Sequence, residues 1–262
     1  MAATTERATY QIRALDRGLD ILEAFSLTQP ELSIGEIGEK AGLPKPTVVR
    51  LLSVLAERGY VERVVGAERY RLGVRTLEAG SVYLQSTSLE AEARPIMRRL
   101  ADATGQTANL GILDRGQVVH VEVVAPDRPV RFWASIGKRE DAYVSGLGKV
   151  LLTTLTGMAR DAYLNQERIA LTPKTIVGTA ELAAELDRVA AAGYAVDEGE
   201  SNLGVVCIAA PIVNGEGTIG AAVSISGPRA EFEGEETMAD LISQVQEAAR
   251  EISARLGWRA TE

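Results

Sequence analysis

The chain has 262 residues, of which 46% are hydrophobic and 24% charged, a composition typical of globular proteins. This length accommodates two domains, each with its own core. One cysteine and one histidine exclude an intrachain disulfide and argue against a zinc site. The sequence has neither an apolar run of about 18 residues nor the apolar segment of a signal peptide, so we expect a cytoplasmic protein without a membrane span.

The net charge of −8 is unevenly distributed along the chain. Residues 1–86 contain 11 basic and 11 acidic residues, whereas the remainder contains 17 basic and 25 acidic residues. Within 43–75 there are seven basic residues against three acidic ones. A basic segment in a neutral N-terminal part is compatible with DNA binding, although mixed charge alone does not establish it.

Apolar residues at helical spacing predict a first helix over residues 14–27. Its expected buried positions are Leu15, Leu19, Leu22 and Phe25. A second, short helix is predicted over residues 34–41, because Ser33 is a favourable N-cap and Glu36 completes a capping-box pattern. The glycine at position 42 ends this helix.

A third helix is predicted over residues 45–58, with Pro46 in its first turn and Gly59 at its end. Its expected buried stripe consists of Val48, Leu51, Leu52 and Leu55. The apolar period then changes to two, which predicts a hairpin of residues 60–65 and 69–73. In this hairpin Tyr70 and Leu72 are expected to face inward.

Two helices joined by a glycine turn and followed by a basic hairpin predict a winged helix-turn-helix over residues 1–73. The start of the third helix can enter the major groove, while the hairpin arginines can contact phosphates or the minor groove. The candidate DNA-contacting residues are Ser33, Lys45, Pro46, Thr47, Arg50, Arg63, Arg69 and Arg71. The alternative is a sensor or an enzyme whose winged helix serves protein contacts only.

Residues 74–88 are predicted to form a linker helix with apolar positions at Val74, Leu77, Val82 and Leu84. A further helix is predicted over residues 89–105, interrupted by Pro95. An apolar linker helix is a usual place for two chains to pair. We therefore expect a homodimer that reads a pseudo-palindromic operator in double-stranded DNA.

Residues 89–262 are predicted to form the second domain. Its predicted strands cover residues 109–114, 117–124, 130–136, 205–213 and 218–227, with further helices at 145–155, 179–193 and about 235–255. Hairpins flanked by helices indicate a mixed α+β fold, an antiparallel sheet with helices packed on it.

Four stretches resemble the IclR family of transcription regulators. They are ALDRGLDILEAF at 14–25, LPKPTVVRLLSVLAERGYVER at 43–63 with YRLG at 70–73, SGLGKVLL at 145–152, and GYAVDEGESNLGVVCIAAPI with SISGP at 193–212 and 224–228. The resemblance implies a winged helix-turn-helix, a linker helix and a GAF-like effector-binding domain. It also implies homodimers that pair into homotetramers, and effectors that are small organic acids or aromatic catabolites.

The resemblance places an effector pocket at the start of the 145–155 helix and on the strand that carries the cysteine. The candidate effector-binding residues are Phe132, Trp133, Ile136, Tyr143, Gly146, Leu147, Asp197 and Cys207. Backbone N–H groups at the start of the helix are expected to attract an anionic or carbonyl oxygen. The aromatic side chains are expected to supply flat apolar walls.

Glu140 and Asp141 stand where the family commonly has an apolar residue followed by proline. Two carboxylates at the pocket mouth would repel a small dianion, unless they are simply solvated. We therefore expect an aromatic acid, amide or hydrazide rather than a dianion.

Other residue patterns have ordinary structural interpretations. Cys207 is expected to be a packed strand residue, with His120 also structural, because no histidine is positioned as its base. The glycines at 146 and 148 lack the full phosphate-loop spacing, so we expect no bound nucleotide. We also expect no other cofactor and no enzymatic activity. Of the acidic run at 197–200, only Asp197 is expected to face the pocket, while Glu198 and Glu200 lie on the loop surface.

Overall fold

The computed structural model describes residues 12–26, 28–86, 89–128 and 135–258. The chain divides into two compact units, Met1–Ser86 and Thr87–Glu262. The predicted linker helix is therefore grouped with the N-terminal unit. Most of the strand predicted at 130–136 lies outside the described residues, and Ser135–Gly137 lead through a turn.

The N-terminal unit combines four helices with a small sheet in the part of the chain that is described. Its elements are α1 (Arg13–Glu23), β1 (Glu31–Ser33), α2 (Ile34–Lys40), α3 (Lys45–Glu57), β2 (Val61–Arg63), β3 (Arg69–Leu72) and α4 (Val74–Ser86). The sheet is antiparallel in the order β1-β3-β2, so the predicted hairpin is joined by a third strand that the sequence did not indicate. Three residues are too few for a strand to show an alternating pattern.

The core of this unit corrects part of the predicted burial. Its buried residues are Ile21, Ala24, Phe25, Leu32, Ile37, Val48, Leu52 and Val61. Leu15 and Leu19, expected in the core, are 58% and 47% exposed, because α1 turns the face with Gly18 and Ile21 inward. Tyr70 packs against the core as predicted, whereas Leu72 is 38% exposed at the end of its strand.

The C-terminal unit confirms the predicted α+β architecture. Its elements are α5 (Leu89–Thr104), β4 (Thr107–Asp114), β5 (Gln117–Val124), β6 (Arg139–Asp141), α6 (Gly146–Leu152), α7 (Gly157–Leu164), α8 (Thr179–Ala192), β7 (Ala195–Asp197), β8 (Val205–Val213), β9 (Ile219–Pro228) and α9 (Glu235–Arg255). Six strands form one antiparallel sheet in the order β6-β5-β4-β9-β8-β7. The helix α5 continues through Pro95, which the sequence predicted to interrupt it.

Helices cover both faces of this sheet. One face carries α5 and α9, and the other carries α6, with α8 packed on α6. Alternation along β8 explains the division: Val206 lines a groove with Met238 of α9, while Cys207 faces α6. A Cβ atom on Gly146 would lie 3.1 Å from Cys207 Sγ. The polar residues of the α6 face define the site considered below.

Candidate functional site

The predicted capping box sets the start of α2. The Ser33 hydroxyl accepts a hydrogen bond from Glu36 N at 3.3 Å, and the Glu36 carboxylate accepts one from Ser33 N at 2.7 Å. The Ser33 backbone N–H, followed by its hydroxyl, lowers the pKa of Glu36 to about 2. The Ser33 side chain thus has a structural role as the N-cap of α2, independent of any contact with DNA.

The start of α3 presents a solvent-facing surface. Lys45, Pro46 and Arg50 are exposed and Thr47 is half-buried, while Val48 on the same helix is buried in the core. Among the described residues, neither Lys45 nor Arg50 forms an ion pair. Their charges are therefore available to an external anion.

Two arginines of the hairpin are exposed but already have carboxylate partners. Arg63 binds Glu68 across the turn. The Arg71 guanidinium lies 2.5 Å from a Glu62 carboxylate oxygen on the neighbouring strand. Exposed ion pairs of this kind contribute at most about 1 kcal/mol, so a DNA phosphate can replace the carboxylate at small cost.

Arg69 is held more firmly within the unit. Its guanidinium donates to the Glu31 carbonyl at 2.8 Å and lies 3.0 Å from the Glu36 carboxylate. These contacts tie β3 to β1 and to the start of α2. Arg69 therefore contributes to the shape of the domain as well as to its positive charge.

The C-terminal unit contains a cavity of about 200 Å³ on the α6 face of the sheet. The strands contribute Asn109, His120, Asp197, Cys207, Ser224 and Ser226. The start of α6 contributes Leu147, with Ser145 just before it, and Ser201 lies on the loop after β7. Most of the described lining is polar, and none of it is Phe, Tyr or Trp.

Sheet register explains why residues far apart in sequence meet here. Asp197 pairs with Cys207 across β7 and β8, and Cys207 pairs with Ser226 across β8 and β9. Asn109 pairs with Ser224 on β4 and β9. Residues directly opposite in register share a face of the sheet, so all five point toward α6.

Asp197 faces the cavity but its carboxylate is already bound by the loop that follows it. One oxygen accepts from Gly199 N at 2.9 Å and Glu200 N at 2.6 Å, and the other accepts from the Ser201 hydroxyl at 2.8 Å. Burial raises the pKa of Asp197, and these three hydrogen bonds oppose the increase. The Asp197 carboxylate therefore faces the cavity and also holds in place the loop that forms part of the cavity wall.

The start of α6 is tightly packed and internally capped. The Ser145 hydroxyl accepts from Gly148 N at 3.1 Å, so this predicted backbone donor is already occupied. Gly148 cannot carry a side chain, because a Cβ atom there would lie 2.0 Å from the Ala142 carbonyl oxygen. Burial raises the pKa of the adjacent Cys207 thiol to about 12, so it remains protonated.

Other predicted pocket residues lie elsewhere. Tyr143 is buried in the hydrophobic core between α6 and the sheet, where its hydroxyl pairs with the backbone of Ile169 at 3.0 Å. Ile136 is 50% exposed in a turn and does not line the cavity. The prediction that these two form pocket walls is therefore corrected, whereas Phe132 and Trp133 lie outside the described residues.

The structure adds His120 and Lys138 to the cavity lining and also places Glu140 there, which the sequence predicted at the pocket mouth. A Glu140 oxygen lies 3.4 Å from His120 Nε2, and the other lies 3.1 Å from Lys138 Nζ. Burial raises the pKa of Glu140, but His120 and Lys138 together outweigh it and lower the pKa to about 2. Asp141 is exposed and accepts a hydrogen bond from Gln117, so it matches the solvated alternative, whereas Glu140 lines the cavity beside a cation.

A buried ion cluster stabilises the loop that follows Asp197. Lys149 is 1% exposed, and its Nζ lies 2.6 Å from both the Glu200 carboxylate and the Val196 carbonyl oxygen, and 3.1 Å from Glu185. Burial raises the pKa of Glu200 to about 7 even though Lys149 opposes the increase. Glu200 is thus a buried residue, and its predicted place on the loop surface is corrected.

An exposed recognition helix in one unit and a buried polar cavity in the other define a ligand-responsive transcription regulator. The model of the bacterial transcriptional regulator IclR C-terminal region matches residues 81–254, and the IclR helix-turn-helix model matches residues 14–64. The chain therefore belongs to the IclR family, with a helix-turn-helix and an effector-binding domain.

Individual relatives support this assignment. The HTH-type transcriptional regulator BhcR of Paracoccus denitrificans is 35% identical over 92% of this chain and 86% of its own length. The transcriptional repressor IclR of Escherichia coli is 31% identical over 98% of this chain and 94% of its own length. An IclR homolog from Microbacterium hydrocarbonoxydans, crystallised with 4-hydroxybenzoate, has a TM-score of 0.83 at 26% identity, covering 93% of this chain and 98% of its own.

Proposed function

We propose that this protein is a cytoplasmic transcriptional repressor and that it catalyses no reaction. A small molecule bound in the cavity that contains Asn109 and Cys207 changes the affinity of the protein for operator DNA. The cavity carries this proposal, because it lies between the sheet and the start of α6 and is lined by polar groups suited to recognition. The 4-hydroxybenzoate held by the Microbacterium relative supports a small organic effector. The protonated state of Cys207 supports a binding role over a nucleophilic one.

For the DNA interface, we assign base reading to the start of α3 and phosphate contacts to the hairpin. Lys45, Thr47 and Arg50 lie on the accessible part of α3, where side chains of a recognition helix reach base edges. Arg63 and Arg71 lie on the exposed hairpin and suit phosphate contacts. Ser33 and Pro46 have positioning roles at the starts of α2 and α3.

For assembly, we propose a homodimer formed through the N-terminal unit, with further pairing into a homotetramer. Large apolar side chains are exposed on α1, on the residue that precedes it and on α4; they are Ile12, Leu15, Leu19, Val74, Leu77 and Val82. Soluble proteins seldom leave such a set uncovered, and a symmetric dimer would cover it. A Leu77→Glu variant should shift the protein toward monomer in light scattering, while the exposed Leu171→Glu control should not.

The whole proposal is tested by gel shifts on the DNA beside the protein's own gene, with and without pooled small metabolites. We expect saturable binding to a pseudo-palindromic site and a change in affinity when the pool is added. Binding that is equal on unrelated DNA of the same length would contradict sequence-specific regulation. If light scattering shows a monomer bound to DNA, the proposed dimer is contradicted, but sequence-specific regulation is not.

A further inference from the structure

The hairpin formed by β2 and β3 contains three arginines, and their partners lie in different places. Arg63 and Arg71 pair with carboxylates inside the hairpin. Arg69 pairs outside it: its guanidinium donates to the Glu31 carbonyl oxygen on β1 at 2.8 Å and lies 3.0 Å from the Glu36 carboxylate on α2. Its contacts therefore join the hairpin to the segment that precedes the recognition helix α3.

The register between β1 and β3 places Arg69 where it can make this bridge. Arg69 lies directly opposite Ser33, which is the last residue of β1 and the N-cap of α2. Glu36 is the third residue of that helix, and its carboxylate accepts a hydrogen bond from the Ser33 backbone N–H at 2.7 Å. The Arg69 side chain therefore reaches past Ser33 to the Glu36 carboxylate.

The two helices α2 and α3 form one closely packed block. A Cβ atom on Gly38 would lie 2.8 Å from the Leu43 carbonyl oxygen and 3.6 Å from a side-chain carbon of Val48, so there is no room for a side chain between the helices. A Cβ atom on Gly35 would lie 3.9 Å from Lys45 Cε, so the start of α2 borders the start of α3. A contact that fixes the hairpin against the start of α2 therefore also fixes it relative to the recognition helix.

The remaining attachment of the hairpin to this block is short. The strand β1 has three residues and pairs with β3 at three positions. So few pairs constrain the angle of a hairpin weakly. The side chains of Arg69 and Glu36 are 41% and 42% exposed, so their ion pair adds little to the stability of the unit. Losing the bridge should therefore change the position of the hairpin more than the folding of the domain.

We propose that Arg69 is a positioning residue for operator recognition, which bridges Glu31 and Glu36 to hold the hairpin at a fixed angle to α3 and does not itself contact DNA. The inference rests on the proposed function in taking α3 and the hairpin as the DNA interface. A helix in the major groove and a hairpin on the backbone bind the same duplex only if their spacing matches it. Arg69 thus acts on sequence discrimination rather than on attraction to phosphates.

Two matched pairs of variants test this role. Glu36→Gln removes the charged partner of Arg69 but keeps the capping box, because glutamine also accepts from the Ser33 backbone N–H. Arg69→Met removes the bridge itself. The controls are Glu62→Gln and Arg71→Met, which break the ion pair inside the hairpin.

Gel shifts compare the DNA beside the protein's own gene with unrelated DNA of the same length. Glu36→Gln and Arg69→Met should each lower the affinity ratio between the two DNAs by about fivefold or more, comparable with weakening one base contact. The sign is decisive for Glu36→Gln, because the loss of a negative charge alone strengthens binding to any DNA. Glu62→Gln also removes a negative charge and should leave the ratio unchanged.

A salt series separates positioning from phosphate contact. Arg71→Met should weaken binding to both DNAs and reduce the slope of log K against log salt by about 0.9. Arg69→Met should change this slope by less than half as much. Hydrogen exchange without DNA examines the bridge directly: peptides that cover β1 and β3 should exchange faster in Glu36→Gln and Arg69→Met than in the two controls. Thermal melts verify that every variant is folded.

The proposal is overturned if Arg69→Met reduces the salt slope as much as Arg71→Met, because Arg69 would then be a phosphate contact. It is also overturned if Glu36→Gln keeps or raises the affinity ratio, or if neither variant accelerates exchange. A wild type that binds both DNAs equally would contradict the proposed function, and with it the role of Arg69 in recognition. In that case the exchange data separately support or overturn the bridge between the hairpin and α2.

Discussion

Replacing Lys149 by methionine tests the importance of the ion cluster beneath the effector cavity. Lys149 is the only cation within ion-pair distance of Glu200 among the described residues, while Glu185 keeps a second partner in Arg188 at 2.8 Å. The variant therefore leaves Glu200 as a buried carboxylate without compensation. Methionine has a volume similar to that of lysine, so packing changes little.

The magnitude follows from the burial of Glu200, whose side chain is 9% exposed. A pKa of about 7, against an ordinary value of 4.5, already corresponds to a penalty on the order of 3 kcal/mol on the ionised form. Removing one partner of a buried ion pair costs about 3–5 kcal/mol. We expect Lys149→Met to destabilise the C-terminal unit by about 1–3 kcal/mol at pH 8, less than this range, because Glu200 can take up a proton once Lys149 is removed.

The assay is urea unfolding followed by tryptophan fluorescence. Both tryptophans, Trp133 and Trp258, belong to the C-terminal unit, so the signal reports on that unit separately. Adding Glu200→Gln to Lys149→Met removes the uncompensated charge and should restore more than half of the loss. A loss below about 1 kcal/mol, or no restoration in the double variant, would refute the reasoning.

The pH dependence has a definite sign. The folded-state pKa of Glu200, about 7, exceeds its ordinary value of 4.5, so the folded state binds more protons between these values. The contribution of Glu200 to stability therefore decreases as pH rises from about 4.5 to about 7. Without Lys149 the folded-state pKa rises further, so the variant should lose less stability at pH 5 than at pH 8.

Three further predictions concern DNA and effector binding. Arg50→Ala should weaken operator binding by about 1–3 kcal/mol in gel shifts if it reads a guanine, whereas Arg58→Ala, at the other end of α3, should have a smaller effect. Arg71→Ala should weaken binding to all sequences and flatten the dependence of log K on log salt by about 0.9 per lost phosphate contact; an unchanged slope would exclude the contact. Asp197→Ala should cost about 1–3 kcal/mol of effector binding in calorimetry, with operator binding in the absence of effector unchanged. Equal effector affinity in the variant would place the site elsewhere.

Sequence periodicity predicted those elements whose environment is uniform along their length. The β4–β5 hairpin turns at Arg115 and Gly116, both with positive φ, as the sequence suggested. The bounds of β8 and α9 also match the prediction, because β8 is buried on both faces over most of its length and α9 has one continuous buried face. In contrast, β1 and β6 have three residues each, and pairing with a neighbouring strand determines their conformation.

The candidate site was less predictable, because its composition depends on pairing between distant strands. The motif that resembles the family indicated Asp197 and Cys207, which lie in the cavity. Nothing local to the sequence indicated that Asn109 pairs with Ser224, or that His120 faces the same cavity. A single histidine in an apolar strand can be identified as a site residue only once the neighbouring strands of the sheet are known.

The contacts around the cavity also indicate where an effector can change the structure. On the Asp197 side, the loop that follows Asp197 is held by two contacts to Glu200. Lys149 Nζ binds the Glu200 carboxylate, and the Thr175 hydroxyl donates to the Glu200 carbonyl at 2.7 Å. On the other side, Asn109 and His120 retain unused hydrogen-bonding atoms. A ligand shifts a conformational equilibrium only through interactions that differ between the two states. The new interactions available here are those of β4 and β5, so the response to effector should begin at these strands, with the Asp197 loop acting as the fixed wall against which the ligand binds.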